Sequence, residues 1–212
     1  REAPASVFVL TAEDFRALGA RTLQEALAAV PGLFAYRDDL FPQVGVRGVG
    51  LLGDYTTRLL VLVDGHPMNN AVGLSQSYLD RDLPVPFDLV RRIEVVKGPA
   101  GGVYGLTAFL GVVNVVTAEP GPAPLELTAY GEGAQGEARG GGVAAAAGGA
   151  LGGLRVAVGA EGYGTRGVDW TFPELVGAPE RPAPPGGRVQ GMGSAGAGAA
   201  YLRLALGDWR LA

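Results

Sequence analysis

The 212-residue chain has no cysteine and a single histidine. Without Cys there is no disulfide, thiolate metal site or Cys nucleophile, and the redox compartment stays open. One His leaves little for His-based acid–base chemistry or a His-rich metal site. Basic residues are scattered: 17 Lys and Arg stand against 21 Asp and Glu, a net charge of −4. No cluster could neutralise a phosphate backbone, so nucleic acid is not an expected partner. Long apolar runs are missing as well. The longest stretch free of charge and Pro, Gly140 to Leu154, is studded with Gly and falls short of the roughly 20 apolar residues a spanning helix needs. The chain opens on Arg1 with no apolar signal segment behind it, which reads as a mature start or an excised fragment.

What is abundant is glycine. The chain is 48% apolar, enough for a core, and carries 36 Gly, more than twice the usual share of about 7%. Residues 1–124 hold 14 of them and residues 125–212 the other 22. The composition therefore changes at Pro120-Gly121-Pro122-Ala123-Pro124, a segment too rich in Pro to continue a helix or central strand. The expected division is residues 1–120 and 121–212.

The first part reads as a small α+β unit. Ser6 to Leu10 is a β-branched apolar run, and Thr11 before Ala12-Glu13-Asp14 is an N-cap with acidic residues for the first helical turn. Thr22-Leu23-Gln24-Glu25 is a capping box. Leu23, Ala26, Leu27 and Val30 repeat at helical spacing until Pro31-Gly32 stops the run. Strand-like runs follow at Gln43 to Arg47, Arg58 to Val63, Arg92 to Lys97 and Gly111 to Thr117, with a helical turn at Phe87 to Val90. Leu59 to Val63 is apolar on both faces and should be a strand covered from both sides; Arg92 to Lys97 is partly alternating and is expected nearer an edge.

The second part alternates with period two. Leu125 to Gly131, Leu154 to Glu161 and Tyr201 to Leu206 each set apolar residues against polar or small ones, the pattern of transmembrane β-strands. Strands are expected at Leu125 to Gly133, Glu137 to Ala147, Leu154 to Tyr163 and Ala195 to Leu206. Gly148 to Gly153 and Gly207-Asp208 would form short periplasmic turns, and Gly164 to Ser194 a long external loop. A soluble β-sandwich is the alternative, but the non-lipid face carries mainly Gly, Ala and isolated charges, too little bulk to fill a sandwich core.

Three motifs suggest other chemistry. Gly48-Val49-Gly50-Leu51-Leu52-Gly53 matches a dinucleotide fingerprint but leads into another strand rather than a helix. His66 beside Asp64 could be a base held by a carboxylate, yet no Ser or Cys nucleophile has a matching elbow, and a solvated turn is the expectation. Asp38-Asp39 and Asp80-Arg81-Asp82 could hold a hard cation, with exposed loop acids as the default. No catalytic residue, metal site or cofactor is assigned.

In order, Val7 to Phe15, Thr22 to Leu27, Val30-Pro31-Gly32-Leu33, Val44 to Gly48, Leu60 to Gly65, Arg92 to Pro99, Val103-Tyr104-Gly105 and Gly111 to Thr117 resemble the plug domain of TonB-dependent outer-membrane receptors. Leu125 onward resembles the opening strands of that family's barrel. Ala100-Gly101-Gly102, in place of a more polar segment, and Leu110, in place of a small residue, depart from the pattern. The resemblance implies a plug that closes a barrel in the outer membrane of a Gram-negative bacterium until an inner-membrane TonB-type transducer pulls on it. It also implies uptake of a scarce, bulky nutrient, a ferric siderophore, another iron complex or cobalamin, with no reaction catalysed. By position, Arg47, Arg92 and Glu94 resemble plug charges that meet the barrel wall. The external loops of the plug map to residues 37–42 and 69–80; Arg37, Asn69, Asn70, Gln76, Ser77 and Tyr78 there, with Tyr36 just before the first, are candidate ligand contacts.

The residues after Pro124 supply four or five strands, whereas plugged transporters have about 22. The transducer-binding box expected upstream of the plug is also missing. The expectation is thus an internal fragment: an α+β plug followed by antiparallel transmembrane strands of an incomplete barrel, facing outer-membrane lipid. The competing reading is a stand-alone periplasmic plug-like binding or adaptor module. An enzyme using His66 is the third.

Overall fold

The computed structural model describes residues 6–37, 41–50, 53–69, 78–134, 137–176 and 185–211. The front half runs β1 (Ser6–Thr11), α1 (Ala12–Ala17), α2 (Leu23–Ala28), β2 (Leu33–Arg37), β3 (Pro42–Val46), β4 (Leu59–Val63), β5 (His66–Pro67), β6 (Val90–Lys97), α3 (Gly101–Tyr104) and β7 (Gly111–Thr117), with a 3-10 turn at Phe87–Leu89. Both early helices are capped as their sequences require. Thr11 Oγ1 accepts from the Asp14 N–H at 3.3 Å while the Asp14 carboxylate accepts from the Thr11 N–H at 2.8 Å. Thr22 Oγ1 accepts from the Glu25 N–H, and the Glu25 carboxylate reaches back to the Arg21 N–H rather than to that of Thr22.

Five of these strands form one sheet in the order β1-β6-β7-β4-β5, with β4 and β7 parallel and the other pairs antiparallel. One face buries Leu59, Val61, Val63, Ile93, Val95, Val113 and Val115 with Phe15, Leu23, Leu27 and Val30 of the helical segment. The other face carries a smaller cluster of Leu60, Leu62, Ala108 and Val112. β4 is therefore covered on both sides, as its unbroken apolar run requires. Arg92 to Lys97 is not at the edge: β1 pairs with it from Ser6↔Lys97 to Thr11↔Arg92 and takes the edge itself. Its partial alternation comes from one weakly buried face. A separate β2–β3 hairpin was not expected at Leu33–Arg37; the Phe34 ring lies over Gly45 where a side chain would otherwise stand.

The second half runs β8 (Ala123–Ala134), β9 (Glu137–Leu151), β10 (Leu154–Thr165), β11 (Val168–Thr171), β12 (Arg188–Met192), β13 (Ala195–Leu206) and β14 (Trp209–Leu211). Five of them make an antiparallel sheet, β14-β13-β10-β9-β8, and β11–β12 is a hairpin in the long β10–β13 connection. Among the described residues β8 and β14 have open outer edges, and the sheet is not closed. β8 begins inside the Pro-rich segment, which an edge strand tolerates at Pro124. The expected turn at Gly148 to Gly153 shrinks to Gly152-Gly153, both at positive φ. Gly148 to Ala150 continue the ladder opposite Arg155 to Ala157.

The two faces of this second sheet differ throughout. Leu125, Leu127, Val143, Val158, Leu202, Leu206, Trp209 and Leu211 point outward and are exposed, Leu127 at 74%. Their neighbours Ala144, Ala157 and Ala205, on the opposite face, are buried. A row of exposed aliphatics on one face and small or polar residues on the other is the division expected of a wall with lipid outside. No helix among the described residues is long and apolar enough to cross a membrane.

Candidate functional site

The inward residues of the second sheet meet the first unit one by one. On β8, Glu126 Oε2 lies 3.1 Å from Arg16 Nη2 and Thr128 Oγ1 donates to Asp88 Oδ1 at 3.2 Å. The guanidinium groups of Arg21 and Arg81 sit 5.0 and 5.2 Å from the Tyr130 ring centroid. Arg81 also lies 4.4 Å from that of Tyr163 on β10. Such contacts contribute about 0.5–2 kcal/mol each, depending on desolvation. Glu161 accepts from the Phe87 N–H at 3.1 Å, which satisfies a donor at the start of the 3-10 turn.

Glycine explains how the surfaces approach so closely. A Cβ on Gly159 would lie 2.6 Å from Leu89 Cδ1; within the wall itself, Gly142 leaves room for the ring of its cross-strand partner Tyr130. The inner face lacks bulk because the first unit supplies it. Gly159→Leu is expected to push the 3-10 turn off the wall at a cost of about 1–3 kcal/mol, seen as faster amide exchange at residues 87–90 with β4 and β7 unchanged.

At the short-turn end of the sheet the contact is ionic. Arg203 Nη1 lies 3.3 Å from Asp64 Oδ2 and donates to Thr117 Oγ1 at 3.0 Å; Arg203 Nη2 is 3.7 Å from Glu119 Oε1. The Asp64 carboxylate accepts from the Thr117 N–H and hydroxyl at 2.9 and 2.6 Å. The expectation of a solvated turn at Asp64 is thus overturned, since its side chain is only 15% exposed. His66 is exposed, and the carboxylate faces Thr117 and Arg203.

At the long-loop end, a cavity of about 770 Å³ separates the wall from the apex of the first unit. It is lined by Phe41, Tyr78, Asp80 and Arg81 on one side and Ala197 and Ala199 on the other. Arg37 pairs with Asp80 at its rim. Of the candidate ligand contacts, Arg37 and Tyr78 therefore come together at this apex. Tyr36 follows β2 inward, donating to Gln43 Oε1 at 3.0 Å and stacking on Phe34. The Asn69 amide completes the outer edge of β4, accepting from Val61 N–H at 2.9 Å and donating to Leu59 O at 3.1 Å. Asn70, Gln76 and Ser77 lie outside the described residues, as do Asp38, Asp39 and Leu51-Leu52 of the glycine motif. Among the described residues no cluster of His, Cys, Asp and Glu could hold a metal.

The three charges expected to meet the wall form their observed bonds within the first unit. Arg47, at φ 53°, donates to Lys97 O at 3.2 Å. Arg92 Nε pairs with Glu94 Oε1 at 2.7 Å, and Glu94 Oε2 accepts from Asn114 at 3.0 Å. Burial works to raise the Glu94 carboxyl, but the Asn114 amide and the Arg92 guanidinium outweigh it and hold it below the ordinary glutamate range. A depressed pKa contributes stability present above the unfolded value and lost as pH falls through the folded one. Glu94→Gln should accordingly lower stability above the usual glutamate range, flatten the acid limb of a denaturation–pH profile below it, and cost nothing once the wild-type carboxyl is protonated. None of the residues that do meet the wall, Arg16, Arg21, Asp64, Arg81, Asp88 and Glu119, was expected to do so from the sequence, where Asp64 and Arg81 stood out only for other chemistry. Only their partners, the polar members of the alternating strands, had a signal.

A compact α+β unit seated against the polar face of an antiparallel wall is the architecture of a plugged outer-membrane barrel. The family described as TonB-dependent Receptor Plug Domain matches residues 1–112; the chain belongs to it. It is 33% identical over 125 residues to the iron-regulated outer membrane virulence protein of Vibrio cholerae and 34% identical over 121 residues to the vitamin B12 transporter BtuB of Vibrio vulnificus. Each match covers 55% of this chain and 18% of the relative. The crystal structure of the ferric yersiniabactin uptake receptor FyuA from Yersinia pestis superposes with a TM-score of 0.63 and 22% identity, covering 96% of this chain and 29% of that one. That likeness of fold takes in the wall strands as well as the plug. The chain is an outer-membrane protein of the TonB-dependent receptor class, a transport and receptor family rather than an enzyme family.

Proposed function

We propose that residues 1–120 are the plug and residues 121–212 the opening wall strands of a receptor that actively takes up an iron chelate or cobalamin. The seam carries this reading: every polar side chain on the inner face of β8 from Glu126 to Tyr130 has a partner on the plug, while the outer face presents Leu125 and Leu127. In this reading the short turns at Gly152-Gly153 and Gly207-Asp208 face the periplasm and the β10–β13 connection faces outside. The apex then lies at the outer end, with Arg37 and Tyr78 as the ligand-facing residues among those described; Asn70, Gln76 and Ser77 are assigned to the same set from their sequence positions alone, whereas Tyr36 and Asn69 are held by Gln43 and β4. An iron chelate or cobalamin is supported by the names of the Vibrio relatives.

The protein catalyses no reaction and holds no cofactor of its own; a TonB-type transducer supplies the energy. Arg47, exposed beside its carbonyl bond, and the Arg92–Glu94 pair are assigned to further wall strands. Deleting the full-length gene should produce a growth defect under iron limitation or under cobalamin limitation, relieved by the gene in trans. Normal growth under both would overturn the uptake reading.

A further inference from the structure

The inner face of β13 changes character along its length: Ala195, Ala197 and Ala199 leave a gap to the plug, and Tyr201 and Arg203, next on the same face, reach across it. The plug side of that contact is rigid. Asp64 and Gly65 both take positive φ, 48° and 83°, in the two-residue turn after β4. The Asp64 carboxylate is held by Thr117 at the end of β7, so it fixes the neighbouring ends of the parallel β4–β7 pair. On the wall side, Arg203 is 11% exposed, and Tyr201 Oη donates to the same carboxylate oxygen at 3.4 Å.

Other ion pairs across the seam are of a different kind. Arg16 and Glu126 are 47% and 50% exposed, where solvent and salt screen the attraction. Parting Asp64 from Arg203 would instead leave two shielded charges unpaired, which is strongly unfavourable unless a substitute is at hand. A substitute is present. Glu119, on the connection from plug to wall, has Oε1 3.7 Å from Arg203 Nη2 and is half exposed, with Arg210 Nη1 at 2.9 Å from its other oxygen.

We propose that Asp64 and Arg203 form a releasable clasp on the short-turn end of the plug, and that Arg203 passes from Asp64 to Glu119 when the plug is displaced. The displacement rests on the uptake reading; the clasp as a seal does not. Closed, the clasp holds β4 and β7 against β13. Open, Glu119 keeps Arg203 from being stranded without a counter-ion, which lowers the barrier to release and favours reclosure.

The test uses the full-length receptor. Arg203→Met removes the guanidinium and keeps an apolar stem; Arg203→Lys keeps the charge. Arg203→Met should raise passive entry of a bulky, normally excluded antibiotic several-fold, leave binding of the transported iron chelate or cobalamin unchanged, and be largely restored by Arg203→Lys. Glu119→Gln should slow energised uptake several-fold without leakage. In a full-length receptor with any other Cys replaced, Asp64→Cys with Arg203→Cys can be bridged by a reducible bis-methanethiosulfonate linker. The bridged receptor should bind but not transport, and reductant should restore transport. If Arg203→Met fails to assemble, the bridged pair decides. An Arg203→Met receptor as tight as the wild type, or a bridged receptor that transports at the wild-type rate, would overturn the clasp. A wild-type receptor that takes up neither ligand would sink the uptake reading while the leak comparison still decides the seal.

Discussion

Replacing Leu202 by Arg in the full-length receptor should remove most of the folded protein from the outer membrane. Leu202 sits on the outward face of β13 and is 51% exposed, opposite outward-facing Val158. A cation on the lipid face near the bilayer midplane costs about 2–4 kcal/mol, a large share of the 5–15 kcal/mol by which folded proteins are usually stable. Ala199→Arg places the same charge on the same strand but on the inner face, beside the cavity at the plug apex. There it can stay hydrated, and assembly should change little. The contrast separates the wall from a water-soluble sandwich. In a sandwich Leu202 would be a solvent-facing residue whose replacement by Arg is neutral, and the buried side would be the sensitive one. The readout is the fraction of receptor in the heat-modifiable, folded form in isolated outer membranes.

Deleting residues 6–117 should convert the full-length receptor from a closed pore to a conducting one. Charge and polarity line the inner face, with Glu126, Thr128, Tyr130, Glu161, Tyr163 and Arg203 all turned to the plug. Those groups have water as a ready substitute partner, so the wall does not depend on the plug to satisfy them. The small inner residues, Gly159 under Leu89 and the buried Ala157 and Ala205, would leave an open lumen. Planar-bilayer recordings should show steady conductance in the deleted receptor and almost none in the intact one. A deleted receptor that assembles and stays closed would mean that something other than this domain blocks the pore.

Much of the fold was legible because local rules and the burial pattern agree. The caps at Thr11 and Thr22, the apolar run of β4 and the alternation of β10 and β13 each fix an element by themselves. What escaped depends on distant partners. Arg92 to Lys97 looks like an edge until Ser6 to Thr11 pair beside it. Leu33 to Arg37 becomes a strand because Gly45 gives the Phe34 ring somewhere to lie. The seam shows the same limit. Tyr130, Glu161 and Arg203 were visible as the polar members of alternating strands, but their partners Arg81, Phe87 and Asp64 lie 49, 74 and 139 residues away by number, with no periodicity to point to them. Asp64 was the most misleading: its Asp-Gly turn reads as solvent-facing, and the approach of β13 makes it a largely shielded counter-ion.

The central claim is that one sheet has lipid on one side and the plug on the other, and spin labels placed singly along Leu125 to Tyr130 and Ala199 to Leu206 of the full-length receptor test it most directly. Accessibility to dissolved oxygen should rise and fall with a period of two, high at Leu125, Leu127, Leu202 and Leu206 and low at Glu126, Thr128, Tyr201 and Arg203. Equal accessibility on both faces, or exposure of the outward row to a water-soluble nickel reagent instead of to oxygen, would contradict it.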